Sequence, residues 1–334
     1  MRQFFCYITM MLAALQAVAQ TSGGAYGWLN VPSSVLEYAL GGVNISNISD
    51  DVNDAERNPG LLGAEVENQL GVNYMRWIGE SNFAGVKYGH SAGEKGAWMA
   101  SVEYFGYGTI KGADINGVLT GDISPKDMKF GVTYAHDIND RWRGGARLDF
   151  LYSSYDRYSA MALAATLGVN YFNPESDFSL SAVVTNLGGQ VKKFYDRSDR
   201  LPVDVRLGVS KRFGSSIIGS ITAWNLTKWH LPYYDAGDGT QQTESEVKDS
   251  FGSNLFRHLV FGLQFVPSER FYAALGYNYK TRTDMSTYKR SFLSGFSIGA
   301  GLNTRAFAFG VALAQPHSGA MTVMLNISTK LYEF

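Results

Sequence analysis

The stretch Gly295 to Gly299 has the Gly-x-Ser-x-Gly spacing of a serine nucleophile. That chemistry needs the serine on a strained turn between a strand and a helix. Here Phe296 and Ile298 flank Ser297 in a run of alternating apolar and small residues, which predicts a position within a strand. We therefore expect the Ser297 hydroxyl to point to the polar side of that strand, and we expect no hydrolase.

The other residue types that support chemistry are also poorly placed for it. The acidic run 50–56 lacks the alternating aspartates and the glycine of a calcium loop, and Gly299-Ala300-Gly301 lacks the third glycine of a dinucleotide-binding loop. Cys6 is the only cysteine. Five histidines are scattered without the spacing of metal ligands: His90, His136, His230, His258 and His317. We expect no catalytic residue, no metal and no cofactor, and therefore no enzyme.

The chain instead repeats the alternation of a β-strand. From 142 to 152, one parity is almost purely apolar and the other is mostly charged. The same alternation recurs in five further segments: 128–134, 178–184, 203–209, 271–279 and 321–327. Strands of about ten residues with one apolar and one polar face are typical of a membrane barrel.

The number and the lengths of the connections favour the same architecture. Counting from Asn68, the pattern predicts about fourteen strands. The four longest connections, near 107–127, 188–202, 227–256 and 281–291, all fall at odd positions and so emerge from one rim. A transmembrane antiparallel β-barrel sorts its loops in this way and keeps both chain ends at the other, periplasmic rim. A soluble β-sandwich shares the alternation without a reason for the sorting, so an all-β membrane barrel is favoured.

The alternation also assigns individual side chains. We expect three side chains to face lipid, Leu148, Phe150 and Leu275, and three to face the lumen, Arg147, Asp149 and Asn278. The segment Ala160 to Val169 stays open between a strand and a buried helix, because its Ala, Met and Leu residues suit both.

The chain begins with the pattern of a secretory signal peptide. Arg2 precedes an apolar stretch and the small-residue site Ala17-Val18-Ala19, which predicts cleavage after residue 19.

No later apolar run approaches the roughly 18 residues of a membrane helix. The net charge is -1 and is spread along the chain, which argues against nucleic acid as a partner. We therefore expect a barrel surrounded by lipid in the outer membrane of a Gram-negative cell.

Residues 20–64 do not join the strand pattern. Ser33 to Ala39 predicts a short helix capped by Ser33 or Ser34. The chain thus divides into a signal peptide (1–19), an N-terminal segment (20–64) and a barrel (65–334).

A polar segment beside such a barrel fits inside the lumen as a hatch. We assign to this hatch five residues at its turns and acidic run: Gly41, Gly42, Asp51, Asn58 and Pro59. The carboxylates of 50–56 are expected to face three lumen arginines, Arg143, Arg147 and Arg206.

The same segment resembles a known family. The runs 24–34, 39–42, Asp51-Val52-Asn53 and Asn58-Pro59 are similar to the start of the PorQ family, outer-membrane components of the Bacteroidetes type IX secretion system. Later stretches also match, at 182–188, 201–213, 224–229 and 233–235, so that the resemblance runs from about residue 20 to the C-terminus. It implies a barrel with an N-terminal hatch and no enzymatic site, similar to PorV and to the long-chain fatty-acid transporter.

The resemblance also implies partners. PorQ-like barrels hold a soluble surface protein, PorZ, in an attachment complex beside PorV and the sortase-like PorU. The sequence therefore favours a docking subunit of a secretion complex. The alternative is an outer-membrane transporter for apolar small molecules, the role implied by the similarity to the fatty-acid transporter.

One feature departs from the usual barrel pattern. Tyr332 and Phe334 lie on the opposite parity from the apolar residues of 321–327. Either a bulge shifts the phase near Thr329, or Phe334 is not an assembly-signal residue of the common kind.

Two sets of aromatic residues have different expected roles. Six lie near strand ends, where we expect them to anchor the barrel at the membrane interface: Trp98, Tyr104, Trp142, Tyr152, Tyr171 and Trp224. Trp229, Tyr233 and Tyr234 lie in the longest loop. They either pack on the rim of the barrel or form a hot spot that binds the surface protein.

Overall fold

The computed structural model describes residues 25–113, 119–195, 198–235, 246–284, 293–317 and 320–333. Fourteen strands form one closed barrel, which confirms the predicted fold. In chain order the strands are β1 (Gln69–Arg76), β2 (Asn82–Ser91), β3 (Gly96–Gly106), β4 (Lys126–Asn139), β5 (Trp142–Tyr155), β6 (Tyr158–Asn173), β7 (Phe178–Lys192), β8 (Asp204–Phe213), β9 (Ile217–Ala223), β10 (Leu259–Ser268), β11 (Phe271–Asn278), β12 (Phe296–Asn303), β13 (Phe307–His317) and β14 (Ala320–Lys330).

Each strand pairs antiparallel with its neighbour in the chain, and β14 closes the barrel on β1, from Gln69 opposite Lys330 to Arg76 opposite Val323. The long connections follow β3, β7, β9 and β11, so all four lie at one end, called the outer rim below. At the other end, the inner rim, every connection between strands is a short turn, and both ends of the strand array lie there. This is the sorting of loops that the sequence predicted.

The remaining elements are short. There are α-helices α1 (Val35–Ala39), α2 (Phe251–His258) and α3 (Tyr279–Asp284). Two small hairpins pair Ile110–Ala113 with Leu119–Ile123 and Tyr233–Asp235 with Glu246–Lys248. Single 3-10 turns cover Gly27–Asn30, Val52–Glu56, Pro59–Leu61, Ala64–Val66 and Leu331–Glu333. In the described ranges, no helix is both long and apolar enough to cross a membrane.

The two faces of the barrel differ as the alternation requires. Leu148 on β5 is 68% exposed on the outside, whereas the adjacent Arg147 is 5% exposed and points inward. The same contrast holds for the other assigned residues, with Phe150 and Leu275 outside and Asp149 and Asn278 inside. An outer surface of large apolar side chains is stable in lipid and not in water.

Two open points are resolved by the pairing. Ala160 to Val169 belongs to β6, which pairs with β5 and β7 on its two sides. Strand β14 continues through Lys330 without a register break around Thr329, so no bulge shifts its phase. The chain leaves the strand in the 3-10 turn Leu331–Glu333, and Phe334 lies outside the described residues.

We predict that Leu148→Arg costs about 2–4 kcal/mol of folding free energy, because Leu148 lies midway along β5, where arginine on the lipid face is most unfavourable. Ile138→Arg is the matched control: Ile138 is also exposed but adjoins the inner rim, where the cost is roughly 0–1 kcal/mol. Denaturant titration in lipid vesicles measures both. Equal losses at the two sites would contradict the assignment of the lipid face.

Candidate functional site

Residues 25–66, which comprise the described part of the N-terminal segment and the 3-10 turn that ends at Val66, run inside the barrel and are called the hatch segment below. Its helix α1 begins after Ser34, whose hydroxyl accepts a hydrogen bond from the Glu37 N–H at 3.1 Å. Of the two candidate caps, Ser33 and Ser34, the structure therefore shows Ser34 as the cap of α1. α1 packs against β11 to β14, and further along the segment the Ser46 carbonyl accepts a hydrogen bond from Ser210 on β8 at 2.8 Å.

Gly41 and Gly42 turn the hatch segment back from the outer rim. Their φ angles of +97° and +85° favour glycine, and a side chain at Gly41 would collide with Val260. The Gly41 N–H donates to the Ser297 hydroxyl at 3.0 Å, and that hydroxyl donates to the Ala39 carbonyl at 2.9 Å. Ser297 therefore lies within β12 and holds the hatch segment, without the strand-to-helix turn that a nucleophile needs.

The other residues assigned to the hatch also contact the barrel wall. Asp51 caps the turn Val52–Glu56 and accepts a hydrogen bond from the Ser328 hydroxyl on β14 at 3.0 Å. Asn58 donates to the Ile45 carbonyl at 2.8 Å and caps the turn Pro59–Leu61, which packs against β4, β5 and β6. That these residues seal the lumen as a hatch stays a prediction.

Glu56 lies at the centre of a buried charge cluster. Its Oε1 is 2.9 Å from Lys129 Nζ and 3.1 Å from Arg147 Nη1. Lys129 also pairs with Glu103 at 2.6 Å, and Arg147 with Asp149 at 2.8 Å. Burial alone would raise the pKa of Glu56, but the positive charges of Lys129 and Arg147 outweigh it and hold that pKa well below its usual range. Glu56 is therefore ionised and ties the hatch segment to β4 and β5.

A third buried cation completes the cluster. Lys87 on β2 donates to the carbonyl oxygens of Ser33 at 2.8 Å and Asn53 at 2.9 Å, both in the hatch segment. The cluster then holds three cations and three carboxylates. Sequence reasoning missed Lys87 and Lys129, although both lie on the lumen parity of their strands, and that parity could have found them.

The prediction that the 50–56 carboxylates face three arginines is correct for Arg147 and wrong for the other two. Arg143 pairs with Glu65 at 3.3 Å and with Asp137 at 2.5 Å, outside the acidic run. Arg206 pairs with Asp204 of its own strand at 2.8 Å. The hatch segment does reach this guanidinium, but through a neutral side chain: Arg206 Nη2 donates to Asn30 Oδ1 at 3.3 Å. The carboxylate that pairs with Arg206 is thus the local one, two residues away on the same face of the strand.

The remaining acidic side chains of the run are accommodated in a different way. Burial raises the pKa of Asp51, and burial together with the charge of Asp51 raises the pKa of Asp54 to about 7. A carboxyl group with a raised pKa is more easily kept neutral. Such a group needs hydrogen bonds to its oxygens more than it needs a neighbouring cation. Asp51 has such bonds, from Ser328 and from the Asn53 N–H at 2.9 Å.

A cavity of about 680 Å³ opens at the outer rim above the hatch segment. Its floor is formed by Ala25, Gly27, Trp28, Asn30 and Val31 of that segment, and its walls by Trp77, Phe105, Tyr107, Ile110, Pro125 and Tyr155. The Trp28 and Phe105 rings stack at 6.3 Å between centroids. A cavity of this size with aromatic and aliphatic walls suits an apolar small molecule.

The polar ends of the two tyrosines in this outer cavity are already occupied. The hydroxyls of Tyr107 and Tyr155 both donate to Asp127 Oδ2, at 2.6 Å and 2.9 Å. Burial and the nearby charge of Asp127 raise the pKa of Tyr107, so it remains a neutral donor. The tyrosine rings therefore present mainly apolar surface to the cavity.

Trp224 does not have the role that the sequence predicted. It follows the end of β9 and lines a smaller cavity of about 110 Å³ at the outer mouth, together with Tyr38, Trp77 and Gly41. The ammonium group of Lys280 lies 6.0 Å from the centroid of its ring. Trp224 is therefore on the lumen side, and the prediction of a lipid anchor is wrong there.

The loop aromatics pack near the outer rim. The Trp229 ring lies 5.2 Å from His258 and 5.3 Å from Phe251 between centroids and stays 40% exposed. The Arg257 guanidinium lies 4.9 Å from the centroid of the Tyr233 ring. Tyr234 pairs with Val247 in the small hairpin, and its side chain lies outside the description. These contacts favour rim packing for Trp229 and Tyr233; binding of a partner stays a prediction.

Metal ligation finds no support in the described part of the chain, where no three His, Cys, Asp or Glu side chains form a group that could hold an ion. His258 shows a structural use instead, since its two ring nitrogens contact the carbonyl oxygens of Trp224 at 2.8 Å and Trp229 at 3.0 Å. The signal peptide 1–19 with Cys6 lies outside the described residues.

The architecture is similar to that of solved outer-membrane channels. The Pseudomonas putida toluene transporter TodX matches with a TM-score of 0.58 and 11% identity over 90% of this chain and 98% of that one. The Ralstonia pickettii toluene transporter TbuX matches with a TM-score of 0.56 and 12% identity over 90% and 97%. A Pseudomonas aeruginosa FadL homologue matches with a TM-score of 0.50 and 9% identity over 89% and 98%.

These likenesses establish a FadL-like barrel fold for the chain. The sequence matches no family model and no curated protein.

We predict that Glu56→Gln loosens the hatch segment, because it leaves Lys129 and Arg147 buried with one carboxylate fewer, a loss of about 3 kcal/mol or more for a broken buried pair. Hydrogen exchange of the amides in 52–57 should speed up, and conductance in planar bilayers should rise.

Glu65→Gln is the matched control. Glu65 also pairs an arginine with the hatch segment, but its side chain is 33% exposed, so the change costs less than about 1 kcal/mol. Equal exchange rates in the two variants would show that the buried cluster does not hold the segment.

Proposed function

We propose that this protein is an outer-membrane barrel that admits apolar small molecules through the cavity at its outer rim. The observation that carries the proposal is the cavity itself, with aromatic and aliphatic walls and its two tyrosine hydroxyls turned to Asp127. Such walls gain free energy by removing apolar ligand surface from water. The toluene transporters TodX and TbuX have the same fold, which supports a role in passage and not in chemistry.

The floor of the outer cavity offers a direct test at Gly27. Gly27 lines the cavity, and a Cβ added there would meet no heavy atom within 4 Å, so Gly27→Phe introduces a large side chain at the floor without a clash at its Cβ. We expect this variant to lower both the binding of the apolar fluorophore N-phenylnaphthylamine and the entry of toluene by about tenfold, which corresponds to roughly 1.4 kcal/mol.

Gly189→Phe is the matched control, because a Cβ at Gly189 on β7 also meets nothing within 4 Å and lies outside the cavity. Binding is measured on purified protein in lipid nanodiscs, and entry is measured in cells that express each variant. Unchanged binding in Gly27→Phe would exclude this cavity as the entrance. Entry no faster than in cells without the barrel would overturn the transport proposal.

We propose, as a second candidate, that the outer rim docks a soluble surface protein similar to PorZ, beside proteins similar to PorV and PorU in a type IX secretion complex. The resemblance of the N-terminal runs to the PorQ family supports this reading. A further observation favours it: the described parts of the connection after β9, 224–235 and 246–258, contain a two-stranded hairpin pairing and a helix, with Trp229 still 40% exposed. Partly exposed aromatic rings that are held by their neighbours offer contact area at a small entropic cost.

We predict that changing Trp229, Tyr233 and Tyr234 together to Ala releases the surface protein into the medium. Loss of two hot-spot contacts of about 2 kcal/mol each weakens binding by roughly a thousandfold. The control removes Trp142 and Tyr171, an aromatic pair with ring centroids 5.1 Å apart near the inner rim. Fractionation blots at equal barrel levels measure retention. A partner that stays on cells carrying the triple change would exclude this loop as the docking site.

A further inference from the structure

The helix α2, at the outer rim, has its polar side chains buried and its apolar side chains exposed. Phe251, Leu255 and Phe256 are 70%, 36% and 51% exposed. Asn254 and Arg257, on the opposite face, are at most 3% exposed. A helix that faces water places these two kinds of residue the other way round.

Hydrogen bonds fix this orientation. Asn254 donates to Asp249 at 2.7 Å and accepts from the Leu231 N–H at 2.8 Å. Arg257 donates to Asp284 of α3 at 2.6 Å and lies over the ring of Tyr233. The polar face of α2 is therefore tied to the loop and to α3, so the helix cannot turn its apolar face inward without breaking these bonds.

The apolar face continues the lipid-facing surface of the barrel. The Phe256 ring packs edge-on against Tyr279, with 6.0 Å between centroids. Tyr279 begins α3 directly after β11, and Leu275 on β11 faces lipid. α2 also leads directly into β10, whose Leu263 is exposed on the same outer surface. The exposed side chains of α2 thus extend the apolar surface of the wall beyond the strand ends.

We propose that α2 is an interfacial helix that lies in the outer leaflet, with Phe251, Leu255 and Phe256 among the lipid chains. An amphipathic helix with large apolar residues on one face binds at the membrane surface in this way. Trp229 packs beside Phe251, and tryptophan is enriched at the membrane interface. The small hairpin packs on the polar face of α2 through Tyr233 and Arg257, so it stands on the aqueous side.

Single labelled cysteines test this placement. Cys6→Ser removes the only cysteine, and Cys is then placed at 251, 255 or 256, with Val247→Cys on the hairpin as the control. Val247 is also an exposed apolar residue, at 51%, but it lies on the aqueous side. Each variant carries an environment-sensitive fluorophore in phosphatidylcholine vesicles, and the heat-modifiable migration of the barrel confirms folding.

We expect quenching by doxyl-labelled lipid to be at least about threefold stronger at 255 and 256 than at 247, and quenching by aqueous iodide to be strongest at 247. Equal access of iodide to all four positions would overturn the proposal. Labels that become shielded only when other outer-membrane proteins are added would also overturn it, because α2 would then be a protein-binding surface. Neither result bears on the transport proposal, which rests on the cavity.

Discussion

The structure depends on one constraint: lipid offers no hydrogen-bond partner, so every backbone N–H and C=O group within the membrane must find its partner in the barrel. The pairing of β1 with β14 meets this constraint, because it leaves the array of fourteen strands without an edge. Closure also fixes the alternation of side chains. Leu148 must then face lipid, and Arg147, its neighbour in the chain, must enter the lumen.

Because every second side chain of each strand points into the lumen, many polar groups lie there and need hydrogen-bond or ion-pair partners. The hatch segment supplies many of them, since Glu56 pairs with Lys129 and Arg147, and the Ser33 and Asn53 carbonyls accept from Lys87. Removing two ions from water is costly, and the balance of three cations with three carboxylates is what makes such burial tolerable. The wall and the hatch segment are thus complementary in charge, and neither is satisfied alone.

The period of two and the positions of the long loops were sufficient to predict the barrel, its strand number and the outer rim. Residue type limited the cap of α1 to Ser33 or Ser34, and the hydrogen bond to Glu37 identifies Ser34. Pairing inside the lumen did not follow, because strand parity shows that Lys87 faces inward and not which carbonyl it meets. Parity likewise does not show which groups Arg206 meets: its carboxylate partner is Asp204, two residues away on the same face, and the hatch segment contributes the Asn30 side-chain oxygen. α2 lies in a segment that strand counting predicts as a connection, and its exposed face is apolar, the reverse of the pattern expected of a surface helix.

The outer cavity and the charge cluster place opposite demands on any solute. An apolar molecule is stabilised in the outer cavity by contact with Trp28 and Phe105. Deeper in the lumen it would meet the buried ions of Lys129, Arg147 and Glu56, which make no favourable contact with an apolar surface. Passage along the lumen, as the transport proposal implies, therefore requires the hatch segment to move and the ion pairs of Glu56 to open. Docking of a surface protein requires no such movement, since Trp229 and Tyr233 already pack at the outer rim. Mobility of the hatch segment is thus the physical property that separates the two proposed functions.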